Sequence, residues 1–438
     1  MRREGETMSD PSTRAAARAQ RSHAGPSIAR HGRLEQHHPF RFILKIIAAV
    51  VGVAVVSSLS VTAYAVLNVA SSAKPSVVLV DAKGKPIDPV PQVGAISGAF
   101  NVLLAGSDSG GGDAAYGSRG EVLNDVTMLL HVSADHQNAT VVSFPRDMFV
   151  PIPSCPMEDG KGSYDAMSRQ KINNTLTYGG LACTVLTVEK LTGLTIPYAG
   201  LIEFDGVIEM SNAVGGVPVC VTGDIKDGNT GLDIKAGQNT LQGAMALAFL
   251  RSRHGVGDGS DLGRISSQQV FLSSLVRTIK SSDTLSNPVK VYGLAKAAVK
   301  NIKLSESLSN MTTIASMAAA LRNIDLNKVV FVQYPNHYVA GGGGVVPTID
   351  AADALLTALN SDKPIALTGD TGVGSEADPN APVAQPPASQ PAAPQSSTPP
   401  APDASTTPAA PAGDPIALPS DVHGQTAGQV TCTKPFSE

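Results

Sequence analysis

Twenty-two consecutive residues without a charge, IIAAVVGVAVVSSLSVTAYAVL from Ile46 to Leu67, constrain this 438-residue chain more than any other feature. As a helix, such a run matches the roughly 20 residues that cross a hydrocarbon layer of about 30 Å. The 45 residues before it are polar and basic, with Arg14, Arg18, Arg21, Arg30, Arg33, Arg41 and Lys45 facing few acids. Basic flanks stay on the cytoplasmic side. The expectation is a disordered cytoplasmic arm over 1–45, one transmembrane helix over 46–67, and everything after Leu67 outside the cell membrane. Ala63-Tyr64-Ala65 also resembles the cleavage site of a signal peptide. So long an arm and apolar run favour an uncleaved anchor, and both readings export the rest of the chain.

Export bears on the four cysteines, Cys155, Cys183, Cys220 and Cys432. No two are two to four residues apart, which excludes the usual zinc spacings, and an even number outside the cytoplasm suits disulfides. Cys155 and Cys183 lie close together in the first half of the domain and are expected to pair. A Cys220–Cys432 bond is a second pairing that needs the tail to fold back. A net charge of −4 lacks the basic excess of a nucleic-acid protein. From about Asp370 to Pro419 the sequence is dominated by Pro, Ala, Ser and Thr, as in VAQPPASQPAAPQSSTPPAPDAS. Such composition cannot bury enough apolar surface to offset chain entropy. The expected layout is a polar stem over 68–97, a globular domain over 98–365, and a disordered tail over 366–438 that carries Cys432.

Within the domain, FNVLLAG (Phe100–Gly106), VTMLLHVS (Val126–Ser133), ATVVSFP (Ala139–Pro145) and KVVFVQYP (Lys328–Pro335) read as strands. Helical patterns cover Leu181–Leu191, closed by Gly193, then Thr240–Leu250, with Asn239 as its cap, Ser260–Ser281, Ser305–Arg322 and Ile349–Leu359. Alternating strands and helices point to one α/β domain, a central sheet with helices on both faces.

Four segments could carry chemistry. AGSDSGGG (Ala105–Gly112) ends a strand in a glycine-rich loop, but no Gly-Lys-Ser/Thr comes after it, so it is not a P-loop. Asp108 there could be a solvated turn residue. If the first two strands pair antiparallel, however, it meets Asp125, and two hard oxygen ligands suit Mg²⁺ beside phosphate oxygens. Arg146, in SFPRD, stands at a strand exit, where sites in α/β folds usually lie; a surface pair with Asp147 is the other reading. Lys171 is an isolated lysine that solvation alone would explain. The fourth segment, ALAFLRSRHGVGDGSDLGRISSQQVFL, places Arg251, Arg253 and Arg264 around a glycine-rich turn, and Arg264 and Gln268 share a helical face. Guanidinium forks match phosphate geometry, and helix N-termini add to that; the alternative is a salt-bridged surface.

Together, GSDS, NDVTMLL, SFPRD, KIN, FDGVIEMSNAVGGVPVCV and LRSRH…DLGRISSQQ, in this order, resemble the LytR-CpsA-Psr (LCP) family over about residues 98–335. The resemblance implies an N-terminal anchor and an extracytoplasmic α-β-α layered domain with a central mixed sheet. It implies that Asp108 and Asp125 hold Mg²⁺. It implies that Arg146, Lys171, Arg251, Arg253 and Arg264 bind a pyrophosphate, with Asp261 and Gln268 completing the site. One departure is Leu123-Asn124-Asp125 where the family usually has Arg-Ser-Asp; Arg119 is a candidate substitute. The implied activity moves a teichoic acid, capsule or arabinogalactan-type glycopolymer from a polyprenyl-pyrophosphate carrier to peptidoglycan, releasing polyprenyl phosphate. Asp108, Asp125 or Asp261 would orient or deprotonate the acceptor, and Arg251 would act at the transferred phosphate. The alternatives are a pyrophosphatase on the same substrate and a non-catalytic wall-polymer binder. The lipid tail needs an apolar groove, for which AMALAFL and VFLSSLV are candidates, ordinary core packing being the other reading.

Overall fold

A computed structural model describes residues 96–107, 122–281, 287–378 and 414–437, with scattered positions between 47 and 87 and at 284 and 381. The chain divides into two units, Met1–Ala63 and Tyr64–Glu438. In the first, the described residues between 47 and 60 are helical. Among the described residues no helix is long and apolar enough to cross a membrane, and much of the uncharged run at 46–67 lies outside them.

Side-chain alternation builds the second unit. Strands β1 (Phe100–Ser107), β2 (Asn124–Val132) and β3 (Ala139–Phe144) form an antiparallel meander. Successive strand residues point to opposite faces. Leu103, Ala105, Leu129, Val142 and Phe144 enter one core with Leu181, Val185 and Val188 of α1 (Gly180–Thr192). Val102, Leu130 and Val141 pack on the other side, with Leu272 and Val276. β4 (Tyr198–Ile202) runs parallel to β1, and helix α2 (Phe204–Ala213) comes after it. Next come β5 (Val217–Val221), β6 (Gly237–Leu241), α3 (Ala244–Arg251), α4 (Asp261–Lys280), α5 (Pro288–Asn301), β7 (Ile302–Leu304) and α6 (Met311–Arg322). β8 (Val329–Gln333) joins β3 in parallel, α7 (Ile349–Asn360) covers the first core, and β9 (Ser375–Ala377), β10 (Gly424–Thr426) and β11 (Thr431–Thr433) complete the order. Among the described residues the central sheet has seven strands in the order β7-β4-β1-β2-β3-β8-β10, mixed in direction, with helices on both faces.

Local signals held where they were strongest. α4 starts after Ser260, whose hydroxyl accepts from the Gly263 amide at 3.2 Å, and α1 stops at Gly193 in the left-handed region. Two helices are shorter than the pattern predicts. Residues 237–241 form β6, paired antiparallel with β5, so Asn239 is a strand residue and α3 begins only past Gly243, at φ +59°. The helix expected from Ser305 instead opens with a 3-10 turn at Glu306–Leu308, and α6 begins after Asn310, which caps the Thr312 amide at 2.9 Å. At residues 237–241 strand pairing overrides helical periodicity.

Two boundaries also differ. The expected stem is partly core: Leu79 is buried, Val77 bridges to Ser305, and Lys74 binds Glu203 at 2.6 Å. The expected disordered tail is divided. Residues 366–378 and 414–437 are built into the fold, while most of the Pro/Ala-rich stretch lies outside the described residues. β10 edges the central sheet, and β11 lies between β5 and β9 in a second, four-stranded sheet, β6-β5-β11-β9. These strands are three residues long and recruited by backbone pairing with distant partners, so composition gave no sign of them. Cys432 stands opposite Cys220 and is bonded to it, and Cys155 is bonded to Cys183.

Candidate active site

The antiparallel register of β1 and β2 sets Ser107 opposite Asn124. Asp125 is at the end of a central strand, skipped by the register shift between Gly106 and Ser107. Asp108, the next residue after β1, lies outside the described residues, as does Arg119. Asn124 is fully buried and its amide donates to Thr127 Oγ1 at 2.7 Å, which fixes the backbone just before Asp125.

Around Asp125 the arginines converge from three elements. Arg146, past the end of β3, donates through Nη1 to Asp125 Oδ1, and its backbone amide donates to Asp261 Oδ2 at 3.2 Å. Arg264, only 3% exposed on the first turn of α4, donates to the Asp125 carbonyl at 2.6 Å. Its Nη2 lies 2.7 Å from Asp261 Oδ1, an ionic contact rather than an aligned hydrogen bond. Arg253 approaches both carboxylates loosely, at 3.9 Å from Asp125 and 3.6 Å from Asp261. Arg251 caps α3 with its guanidinium 4.3 Å above the Phe204 ring. Lys171 is drawn in by Asp147, which it binds at 2.9 Å. Gln268 lies beside the cluster, and its amide donates to the Leu250 carbonyl at 2.9 Å, tying α4 to the end of α3.

Among the described residues the cluster holds more positive than negative side chains. Burial lowers the Arg253 guanidinium, and the charges of Arg264 and Arg146 lower it further, outweighing Asp261 and Asp125. For Arg146 burial acts downward too, but Asp125, Asp147 and Asp261 more than compensate and raise it. Burial pushes Asp147 up, yet Lys171 and the nearby arginines bring it below the usual carboxylate range. The buried Nε–H groups of Arg146 and Arg264 have no hydrogen-bond acceptor among the described residues. Unsatisfied buried donors are costly, and an anion would satisfy them.

Beside the cluster opens an apolar cavity of about 150 Å³, with Asp125, Arg251, Arg264 and Gln268 on its wall and Phe204, Leu247 and Leu272 among its apolar lining. A second cavity of about 830 Å³ shares Leu104, Met128, Leu272 and Leu275 with the first and extends between the sheet and α6. The two groove candidates divide their residues: Leu247, Leu250, Leu272 and Leu275 line cavities, whereas Ala246, Phe249 and Val270 are core. Among the described residues, the one group of three candidate metal ligands is Cys220, Asp378 and Cys432, where the thiols are already joined. Asp125, the described member of the predicted pair, offers the hard carboxylate oxygens that Mg²⁺ takes.

The sequence profile of the LytR_cpsA_psr family matches residues 57–360. The chain belongs to that family. It is 30% identical to the cell wall biosynthesis protein LcpA of Corynebacterium glutamicum over 285 residues, 58% of this chain and 54% of the relative. It is also 30% identical to the polyisoprenyl-teichoic acid–peptidoglycan teichoic acid transferase TagU of Enterococcus faecalis over 188 residues, 43% of this chain and 56% of the relative. The chain thus spans about half the length of these curated relatives. A solved LytR-Csp2A-Psr enzyme from Actinomyces oris aligns over 66% of this chain and 96% of its own, at 21% identity and a TM-score of 0.49.

Asp227 escapes the sequence reading of this LytR_cpsA_psr protein; Asp147 figures there only as a surface partner of Arg146, and Phe204 only within a family-like stretch. Asp227, 2% exposed, accepts from Ser252 Oγ at 2.8 Å and from the Arg253 amide at 3.2 Å, and so fixes the backbone between Arg251 and Arg253. Burial raises its carboxyl, but those bonds and the Asn229 amide bring it below the ordinary range. Asp147 gathers Lys171, and Phe204 orients Arg251. Asp147 had a signal, its adjacency to Arg146. Asp227 lies 26 residues from Arg253, so its role could not be found without the fold, and nor could the contact of Phe204 with Arg251.

Proposed function

We propose that this chain is a membrane-anchored phosphotransferase that moves a phosphate-linked glycopolymer from a polyprenyl-pyrophosphate carrier to peptidoglycan outside the cell. The carrying observation is the adjacency to an apolar cavity of an arginine cluster whose buried Nε–H donors meet no acceptor among the described residues: one ligand with an anionic head and a hydrocarbon tail suits both. The names of the wall-biosynthesis and teichoic acid transferase relatives support this substrate class. The uncharged run at 46–67 and its basic flank support a single-pass anchor with a cytoplasmic N-terminus.

In this reading Arg146, Arg253 and Arg264 hold the pyrophosphate, Arg251 sits at the cavity wall beside the transferred phosphate, and Lys171 adds charge through Asp147. A hydroxyl of peptidoglycan attacks the sugar-bearing phosphorus, the bond to the bridging oxygen breaks, and polyprenyl phosphate leaves. The hydroxyl proton passes to one of Asp108, Asp125 and Asp261. Such transfers depend on positioning and charge neutralisation more than on covalent catalysis. Asp125 with Asp108 would hold Mg²⁺, which supplies further charge neutralisation when bound.

The test incubates the purified protein with lipid-linked polymer, Mg²⁺ and peptidoglycan. Polymer bound covalently to the wall is the expected product. Free phosphorylated sugar would make the protein a pyrophosphatase, and no product at all would leave a polymer-binding anchor. Leu275→Trp, which fills the shared cavity wall, should weaken a long-chain substrate while sparing a short-chain analogue. Equal loss for both would detach the cavity from the lipid.

A further inference from the structure

The turn Arg253–Ser260 sets the distance between two halves of the site, since Arg253 opens it and Asp261 comes directly after it. It contains Gly255, Gly257 and Gly259, the last two at φ +55° and +77°. A turn so rich in glycine loses more conformational entropy on ordering than an ordinary one, so something must hold it. Its own bonds are few: Val256 N to Arg253 O at 3.1 Å, Gly259 N to Val256 O at 3.0 Å and Ser260 N to Asp258 Oδ1 at 3.0 Å.

Asp227 holds the Arg253 amide at 3.2 Å, and further restraint comes from far along the chain. Gly257 N donates to Lys434 O at 3.1 Å, Phe436 N to Gly255 O at 2.9 Å, and Ser437 N to Gly257 O at 3.0 Å. Val256 and Pro435 form a bridge pair, and the Phe436 ring lies so close over Gly259 that a Cβ there would be 3.1 Å from it. Behind the turn, a Cβ on Gly257 would fall 2.9 Å from the Gly374 Cα, and Lys434 N donates to Gly374 O at 3.0 Å. The clasping segment is itself held two residues upstream by the Cys220–Cys432 bond.

We propose that Lys434–Ser437 is a positioning clip for the arginine turn, and that its backbone bonds to Gly255 and Gly257 set how well the cluster holds a phosphate anion. Arg253 reaches its carboxylate neighbours only at 3.6 and 3.9 Å, so small movements of the turn change its share of the field most. The clip rests on the anion-site reading, and it acts through Arg253 rather than by touching the ligand.

The test compares the full chain with one stopped after Lys434, which keeps the disulfide, β10 and β11, and with Phe436→Pro and Phe436→Ala. Proline removes the N–H that serves Gly255, whereas alanine keeps it. Inorganic pyrophosphate is the probe, by calorimetry, alongside hydrogen exchange of the 255–260 amides. The shortened chain should bind about tenfold more weakly, as expected for the loss of backbone bonds. Phe436→Pro should lose several-fold, and Phe436→Ala should stay near the full chain. The turn amides should exchange faster while the unfolding midpoint moves by only a few degrees. In an Arg253→Ala background the shortening should have no further effect, as for two changes acting through one contact. If the full chain binds pyrophosphate, Arg251→Ala does not, and the shortened chain binds at full strength, the clip is refuted although the site stands. If the full chain ignores pyrophosphate, the site reading fails, and the exchange rates at Gly255 and Gly257 then decide the clip alone: unchanged protection refutes it.

Discussion

Arg251 and Arg264 serve the same proposed anion, yet their removal should have different consequences for the fold. The Arg264 side chain is 4% exposed and Asp261 beside it 11%, so Arg264→Ala leaves a carboxylate almost out of water. Its remaining neighbours are Arg253 at 3.6 Å and the Arg146 amide at 3.2 Å. Breaking a buried pair by removing one partner costs about 3–5 kcal/mol, and these two partial replacements place the cost near the lower end, about 3 kcal/mol. For a unit of this size each kcal/mol shifts the midpoint by about 2–4 °C, so Arg264→Ala should melt about 6–12 °C below the parent. Arg251 is half-buried, and its described contact is the Phe204 face. Losing that stacking costs about 1 kcal/mol, or a few degrees. Both variants should lower transfer by about 10²–10³ if each donor acts on the transition state. Differential scanning calorimetry and transfer assays on the same preparations separate the effects. Equal midpoints for the two variants would falsify the burial argument, and near-parental turnover in Arg251→Ala would place the chemistry elsewhere.

Asp227→Asn should lower kcat about tenfold without changing the substrate's chain-length preference, because it loosens the Arg253 backbone through weakened charge-assisted bonds. Asp227 and Asp147 both titrate below the ordinary carboxylate range in the folded chain, so their stabilisation is present above about pH 4 and disappears as pH falls through the folded values. Acid unfolding of Asp227→Asn should therefore be less steep below about pH 4; an unaltered profile would remove that residue from the linkage. Pyrophosphate binding should strengthen with Mg²⁺, and Asp125→Asn should abolish the difference; calorimetry giving equal affinity with and without the metal would leave the aspartates to orient arginines alone. By loop-closure entropy the Cys220–Cys432 bond, spanning 212 residues, contributes about 5 kcal/mol, against about 3.5 for Cys155–Cys183, spanning 28. Replacing Cys220 and Cys432 by serine should therefore cost more in denaturant than replacing the other pair, and the reverse order would count against that accounting.

What the amino-acid sequence determined by itself was whatever depends on near neighbours. Short apolar runs marked β1, β2, β3 and β8; Gly193 marked a helix end; the spacing of Arg251, Arg253 and Arg264 around glycines marked a candidate anion site. Each rests on periodicity or capping within a few residues, so the local sequence suffices. Tertiary structure decided the rest. That Asp227 supports the arginine turn is a consequence of where the hairpin of Ile225–Asp227 and Leu232–Ile234 packs. That Gln268 on the cavity wall also braces α3 results from the approach of two helices. Residues 424–437 read as tail because three-residue strands have no period to detect, and their partners, β8 and β5, lie about a hundred and two hundred residues away. Backbone hydrogen bonds and one disulfide make that choice, and neither is written in local composition.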